Sequence, residues 1–170
     1  MSVSRAGTTG PESQGAVSPY RRIVVALDGS ERAERILPQV AMLARQFGAA
    51  VTLVRVITPP GPLVSEVPEG AVQDDRASSA PAACTDRERC EAAGYLQALA
   101  DHLRAEGLTV TCLESTGQAA EAIVEAARVV RADLIAMTTH GRSELARHVL
   151  GSVADDVLRR ADCPVLLLRA

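Results

Sequence analysis

The sequence predicts an α/β protein with an open five-stranded parallel sheet and helices on both faces. Short apolar runs rich in Val, Ile and Leu alternate along the chain with longer segments whose apolar residues recur at helical spacing. This alternation is typical of parallel strands joined by crossover helices. The 170 residues and the 47% hydrophobic content suffice for one domain with its own core. Right-handed crossovers with one reversal of winding allow strand 1 to lie beside strand 4, and we expect the strand order 3-2-1-4-5.

The first half of the domain holds two predicted strands and one helix. Strand 1, Arg22–Leu27, is a continuous apolar run of the kind that a sheet buries on both faces. Asp28-Gly29-Ser30 then turns the chain into a helix predicted from about Glu31 to Phe47, which Gly48 ends. The second strand is Ala50–Ile57.

Two segments lack the periodicity of either element. Residues 1–19 are rich in Ser, Gly, Thr and Pro and predict a disordered N-terminal tail, so the folded domain covers residues 20–170. Residues 58–87 contain PPGP and further prolines, and they predict a flexible loop, a lid or an insertion.

The second half of the chain continues the alternation of helices and strands. Its third strand alternates apolar with polar residues, which is typical of a half-exposed or edge position. The predicted elements are a helix from about Asp86 to Glu106, strand 3 at Leu108–Ser115, a helix opening at Gly117, strand 4 at Asp133–Met137, a helix at Gly151–Ala161 and strand 5 at Pro164–Arg169.

The composition and the sequence pattern argue against several classes of partner and site. The net charge of −3, the 2% aromatic content and the lack of a basic cluster argue against a nucleic-acid partner. The four cysteines form no C-x-x-C pair, so neither a zinc site nor a disulfide framework is expected. No apolar run reaches the ~18 residues of a membrane span, and the N-terminus lacks the apolar region of a signal peptide. We therefore expect a cytoplasmic protein without a membrane partner.

The last third of the chain carries the most informative functional pattern. A buried strand runs through a glycine-bearing loop onto a helix that opens at Gly151-Ser152. Unpaired N–H groups and the helix dipole favour an anion at such an N-terminus. In an open parallel sheet the ligand crevice lies beyond the carboxyl ends of the strands, where the winding reverses. If strand 1 neighbours strand 4, Asp28 and the loop from Thr138 to Ser152 line that crevice.

Four segments together resemble the universal stress protein family, as a single-domain, UspA-like member. They are IVVALDGSE, VTLVRVI, GQAAEAIVEAA and THGRSELARHVLGSVADDVLRRADCPVLLLR, and the resemblance covers about Tyr20–Ala170. It implies a Rossmann-like fold of the adenine nucleotide alpha-hydrolase-like type. It also implies a stress-response sensor or regulator that binds ATP, with Mg²⁺ or Mn²⁺ held through the phosphates. Members of the family are commonly homodimers joined through the last strand, which maps to residues 165–168.

The resemblance also assigns individual residues. The family's nucleotide pattern is Gly, two residues, Gly, nine residues, Gly and then Ser or Thr. Its second and third glycines map to Gly141 and Gly151, and Ser152 supplies the hydroxyl, whereas Thr138 stands at the first glycine position. By the same mapping, Asp28 contacts the adenosine and Val56 packs on the base. The nucleotide-binding set that the resemblance implies is Ala26, Leu27, Asp28, Val56, Met137, Thr138, Gly141, Arg142, Gly151, Ser152 and Val153.

Several of these residues have a purely structural alternative. Asp28 with Glu31 is also a capping pair for the first helix, and Ser152 with Asp155 a capping box for the last. Arg142 can be a solvated side chain. Thr138 has two possible consequences. If its backbone needs a positive φ, threonine costs about 1 kcal/mol or more of strain. If φ is ordinary, its side chain merely narrows the pocket, or its hydroxyl bonds the ribose.

The sequence favours binding over catalysis. It has no Walker lysine after a glycine loop and no nucleophile–base–orienter trio, so any ATP hydrolysis is expected to be slow. The main hypothesis is an ATP-binding sensor. The alternative, motivated by Thr138 and by residues 58–87, is a nucleotide-free member that acts through dimerisation and partner contacts. An α/β enzyme is a third possibility. It would show a turnover rate well above background, and the Ser152→Ala or Asp28→Ala substitution would lower that rate.

Overall fold

The protein forms one parallel sheet with helices on both of its faces. The computed structural model describes residues 19–58, 80–139 and 151–169, with residues 80–86 described by their backbone only. The strands are β1 (Arg22–Leu27), β2 (Ala50–Ile57), β3 (Val110–Thr116), β4 (Leu134–Thr138) and β5 (Val165–Leu168). The sheet order is β3-β2-β1-β4-β5, and every pair is parallel. Both the predicted fold class and the predicted strand order are confirmed.

Five helices in the described residues cover this sheet. They are α1 (Glu31–Glu34), α2 (Leu37–Phe47), α3 (Ala80–Ala105), α4 (Ala119–Val129) and α5 (Ser152–Arg160). Side chains from α1, α2 and α3 pack in one apolar cluster, and those from α4 and α5 pack in another. The alternation of β1 divides its side chains between the two clusters, with Ile23, Val25 and Leu27 on the first face and Val24 and Ala26 on the second.

The central position of β1 sets where a ligand can bind. It pairs with β2 on one side and with β4 on the other, in the registers Arg22↔Ala50 and Ile23↔Leu134. The chain winds outward in both directions from this pair of neighbours. The point of reversal therefore lies between the carboxyl ends of β1 and β4, where open α/β sheets hold their ligands.

The helix predicted from Glu31 to Phe47 is divided in two by the structure, which corrects that prediction. Pro38 stands in the first turn of α2. It has no N–H to donate, and within a continuous helix its ring would collide with the carbonyl of Glu34. The chain therefore breaks at Arg35 and Ile36 and starts a second helix.

The loop predicted at residues 58–87 also extends too far toward the C-terminus, which is a second correction. Helix α3 begins at Ala80 rather than near Asp86. The segment Ala-Pro-Ala-Ala has alanines with high helix propensity, and proline is tolerated in a first turn, so the helix extends toward the N-terminus. Residues 59–79 of this loop and residues 1–18 of the predicted tail lie outside the described residues. None of the helices in the described ranges combines the length and apolarity needed to cross a bilayer.

Asp133 joins the amino ends of β1 and β4. Its carboxylate accepts the backbone N–H of Arg21 at 2.8 Å and that of Arg22 at 3.1 Å. The N–H of Asp133 in turn donates to the carbonyl oxygen of Arg22 at 3.0 Å. These bonds fix the pairing of the two strands whose opposite ends flank the crevice.

We predict that Asp133→Ala lowers the free energy of unfolding by about 1–2 kcal/mol, because two backbone donors lose a charged acceptor. Urea unfolding followed by circular dichroism measures the change. The control is Glu125→Ala, which removes only an exposed carboxylate 3.9 Å from Arg128 and is expected to change stability by less than about 0.5 kcal/mol. Equal unfolding midpoints for Asp133→Ala and the wild type would contradict this role.

Candidate functional site

A cavity of about 290 Å³ opens at the carboxyl edge of the sheet, at the reversal between β1 and β4. It lies at the lower end of the range usual for small-molecule sites. All of the predicted site residues that fall in the described ranges line it. They are Ala26, Leu27, Asp28, Val56, Met137, Thr138, Gly151, Ser152 and Val153. The other two, Gly141 and Arg142, lie outside the described residues.

The α4–α5 side of the cavity is apolar. Val54 and Val56 of β2 and Met137 of β4 come from the sheet, and Ile123 comes from α4. They belong to the cluster that packs between the sheet and α4 and α5. A surface of this kind buries a flat, weakly polar ring through dispersion and the hydrophobic effect.

Asp28 is held in place by the turn that follows it. Its Oδ1 accepts the backbone N–H of Ser30 at 2.9 Å and the Ser30 hydroxyl at 2.6 Å. Ser30 Oγ in turn accepts the N–H of Ala33 at 3.2 Å and is the N-cap of α1. The alternative that Asp28 and Glu31 form the capping pair is therefore wrong. No other described residue hydrogen-bonds the second carboxylate oxygen of Asp28, which leaves it available to a ligand.

Thr138 has an ordinary backbone conformation. It is the last residue of β4 and is 7% exposed. Among the described non-glycine residues, only Arg131 has a positive φ. The strain considered for threonine at this position is therefore absent. By strand alternation, Thr138 follows Leu134 and Ala136 onto the face covered by α1, whereas Met137 faces α4 and α5.

Gly151 lets the start of α5 approach the end of β4 closely. A Cβ at position 151 would lie 2.6 Å from the carbonyl oxygen of Thr139, a distance that requires a shift of the backbone. Thr139 is itself fixed, because its N–H donates to the carbonyl oxygen of Leu168 at 3.0 Å. Only glycine fits at this contact without displacement.

The N-terminus of α5 has unsatisfied donors that border the cavity. Gly151 is the N-cap residue, and no side chain caps this helix within the described structure. The Ser152–Asp155 capping box is therefore wrong, because Ser152 is the first helical residue and Asp155 pairs instead with Arg159 at 2.9 Å. With respect to the described residues, the first-turn N–H groups and the exposed Ser152 hydroxyl remain free for an anion.

Among the described lining residues, the electrostatics of the cavity come from one carboxylate, that of Asp28, and from the N-terminus of α5. None of the described lining residues is basic, so the positive potential there arises from the α5 N-terminus. Within residues 19–58, 80–139 and 151–169, no group of three or more His, Cys, Asp or Glu side chains is placed to hold a metal ion. His140 lies outside the described residues.

The structure adds lining residues that the sequence analysis did not single out. They are Ala33, Val54, Ala119, Ile123, Thr139 and Ala154. Two signals were present. Val54 precedes Val56 by two residues and so shares its face of the strand, and Ile123 follows Ala119 by four and shares its face of the helix. Thr139 belongs to the loop from Thr138 to Ser152 that the sequence analysis placed at the crevice, whereas for Ala33 only the packing of separate elements reveals the contact.

Comparison with known proteins gives one consistent family. The model of the universal stress protein family matches residues 19–169. A universal stress protein of Methanocaldococcus jannaschii is 31% identical over 150 residues, which cover 88% of this chain and 82% of that protein.

Solved structures of this family resemble the chain over nearly its whole length. A member from Burkholderia pseudomallei is 29% identical with a TM-score of 0.66, covering 90% of this chain and 98% of that one. A universal stress protein from Archaeoglobus fulgidus, solved in complex with dAMP, is 28% identical with a TM-score of 0.59 and covers 87% and 97% of the two chains.

We predict that Gly151→Ala destabilises the protein by about 1–3 kcal/mol, because the added methyl group meets the Thr139 carbonyl. Thermal and urea unfolding measure the loss. Gly94→Ala is the matched control, since nothing lies within 4 Å of its Cβ position and the residue is inside α3. Its expected effect is a gain of about 0.5–1 kcal/mol. A Gly151→Ala variant as stable as the wild type would rule out the close contact.

Proposed function

The chain belongs to the universal stress protein family, and we propose that it binds an adenine nucleotide, ATP, and acts as a cytoplasmic sensor or regulator in a stress response. One observation carries this proposal: a single cavity is lined by an apolar wall, by the fixed carboxylate of Asp28 and by the uncapped start of α5. These three surfaces match the base, the ribose and the phosphates of a nucleotide.

Each part of the ligand has a chemical counterpart in the cavity. Val56 and Met137 offer apolar contact to the adenine, as the side chains nearest to the carboxyl edge on that face. The free oxygen of Asp28 accepts hydrogen bonds from ribose hydroxyls. The N–H groups of Ser152 and Val153 and the Ser152 hydroxyl donate to phosphate oxygens. The dAMP complex of the Archaeoglobus fulgidus relative supports this choice of ligand class.

The divalent cation enters with the nucleotide in this proposal. Mg²⁺ prefers six oxygen ligands and commonly binds through substrate phosphates, one or two carboxylates and water. Asp28 and the hydroxyls of Ser152, Thr138 and Thr139 are the oxygen-bearing side chains among the described lining residues. They suit a cation that the phosphates already hold better than they suit a dedicated protein site.

The described lining favours a sensor over an enzyme. It contains no His, Lys or Cys side chain, and one oxygen of its only carboxylate, Asp28, is already bonded to Ser30, so no base is paired with Ser152 among these residues. A bound nucleotide would instead join the end of β1 to the start of α5, which are far apart in sequence. We therefore propose that occupancy itself is the signal.

We predict that ATP with Mg²⁺ binds to the purified protein with a Kd below about 1 mM. Asp28→Ala and Ser152→Ala should each weaken binding by about tenfold, because each removes one polar contact. Isothermal titration calorimetry measures these affinities, with Asp162→Ala as a control whose carboxylate pairs with Arg128 away from the cavity. A folded wild-type protein that releases no heat with millimolar ATP would exclude the proposed function.

The nucleotide-free alternative rests on Thr138 and on the exposed edge of the sheet. Among the described residues, strand β5 is paired on one side only, with β4, and all four of its apolar residues are half-buried. The unpaired N–H and C=O groups along such an edge can form hydrogen bonds with another strand. In this second candidate, two copies associate through residues 165–168 and act through partner contacts, with no ligand in the cavity.

Replacing Thr138 separates the two candidates. Because its φ is ordinary, we expect Thr138→Gly to leave ATP affinity within about threefold of the wild type. Glycine at the end of β4 should lower stability by about 1 kcal/mol. Calorimetric titration and urea unfolding measure the two effects. Binding that appears, or tightens tenfold, only in Thr138→Gly would favour the nucleotide-free candidate for the natural chain.

A further inference from the structure

The Arg55 guanidinium packs beneath the turn that carries Asp28. A Cβ built on Gly29 would lie 3.1 Å from Arg55 Cζ and 3.2 Å from both of its Nη atoms. A side chain at position 29 would therefore require the guanidinium to move by a few tenths of an ångström. Arg55 itself is not among the residues that line the cavity.

The backbone conformation favours glycine at position 29, because its φ of +84° lies in the region that residues with a side chain rarely adopt. The guanidinium of Arg55 also lies close to the space beside it. The turn and Arg55 are thus matched to each other. Asp28 and Ser30, which flank Gly29, are the two residues joined by the carboxylate hydrogen bonds.

Tyr95 of α3 holds Arg55 in this position. The Arg55 Cζ lies 5.3 Å from the centroid of the Tyr95 ring, within the range of a cation–π contact. No hydrogen bond or ion pair joins the guanidinium to another side chain in the described parts of the chain. Contacts with the Tyr95 ring and with Gly29, rather than a salt bridge to another described residue, therefore hold the guanidinium.

The charges around Tyr95 show that Arg55 shares its surroundings with acidic groups. Burial raises the pKa of the Tyr95 hydroxyl far above its usual value, and the carboxylates of Glu34 and Asp28 raise it further. The positive charge of Arg55 opposes that rise.

We propose that Arg55 is a positioning residue for the nucleotide site, and that it acts by holding the turn from Asp28 to Ser30 from outside the cavity lining. The proposal rests on the proposed nucleotide binding for its effect on affinity. Its structural half, the support of the turn, is independent of any ligand. Arg55 thereby links strand β2 and helix α3 to the carboxylate that meets the ligand.

The first experiment measures the turn without nucleotide. The Ser30 N–H donates to Asp28 Oδ1, so its exchange with solvent reports how firmly the turn is held. By NMR, Arg55→Met should speed exchange of the Ser30 amide by about tenfold and leave the Val54 amide of β2 unchanged. Unchanged Ser30 exchange in a folded variant would overturn the proposal, whether or not the protein binds ATP.

The second experiment measures affinity in a double-mutant cycle. Arg55→Met should weaken ATP binding by about fivefold in the natural chain and have no further effect in an Asp28→Ala background. Equal losses in the two backgrounds, or no loss in the first, would overturn the proposal. If the natural chain binds no ATP, the proposed function fails and the Ser30 exchange alone decides on the role of Arg55.

Two control variants separate positioning from general stability. Arg104 donates from Nε and Nη2 to the Val110 carbonyl at 3.0 and 2.7 Å, at the amino end of β3. Arg104→Met should lower stability without changing Ser30 exchange or ATP affinity, and a change in either would contradict the proposal.

Variants of Tyr95 test the contact with Arg55 itself. Tyr95→Phe keeps the ring and should match the wild type in Ser30 exchange and ATP affinity, whereas Tyr95→Leu should reproduce the effects of Arg55→Met. Tyr95→Leu also carries the test if Arg55→Met does not fold.

Discussion

The close approach of Gly151 to the Thr139 carbonyl is the constraint on which the site depends. It brings the start of α5 against the end of β4, so closely that a Cβ at position 151 does not fit between them. The Thr139 N–H is anchored to Leu168 of β5, so the sheet fixes one side of this contact. The uncapped donors of α5 consequently border the cavity at the point where the winding of the sheet reverses.

The two faces of the sheet contribute different parts of the site. On the face covered by α4 and α5, Val54, Val56 and Met137 provide the apolar wall of the cavity. On the face covered by α1 to α3, Arg55 and Tyr95 support the turn that holds Asp28. Alternation along β2 thus places residues 54 and 56 toward the proposed ligand and residue 55 behind the carboxylate that meets it.

Local patterns in the sequence predicted most of the fold, and what they missed has both local and long-range causes. Continuous apolar runs such as Arg22–Leu27 predicted strands buried on both faces, and the structure confirms them. To predict the break before α2, the steric effect of Pro38 has to be weighed against the regular helical spacing of the apolar residues around it. The role of Thr138 depended on its backbone angle, and the match of Arg55 with Gly29 depended on strand register, neither of which a motif encodes.

An adenine nucleotide in the cavity between β1, β4 and α5 should be visible by chemical-shift mapping of the isotope-labelled protein during addition of ATP with Mg²⁺. We expect the perturbed amides to cluster at residues 28–30, 137–139 and 152–153, while the resonances of amides at the amino edge, such as Arg22 and Val110, do not shift. No perturbation at saturating ATP, or perturbation confined to the amino edge or to β5, would contradict the proposed binding.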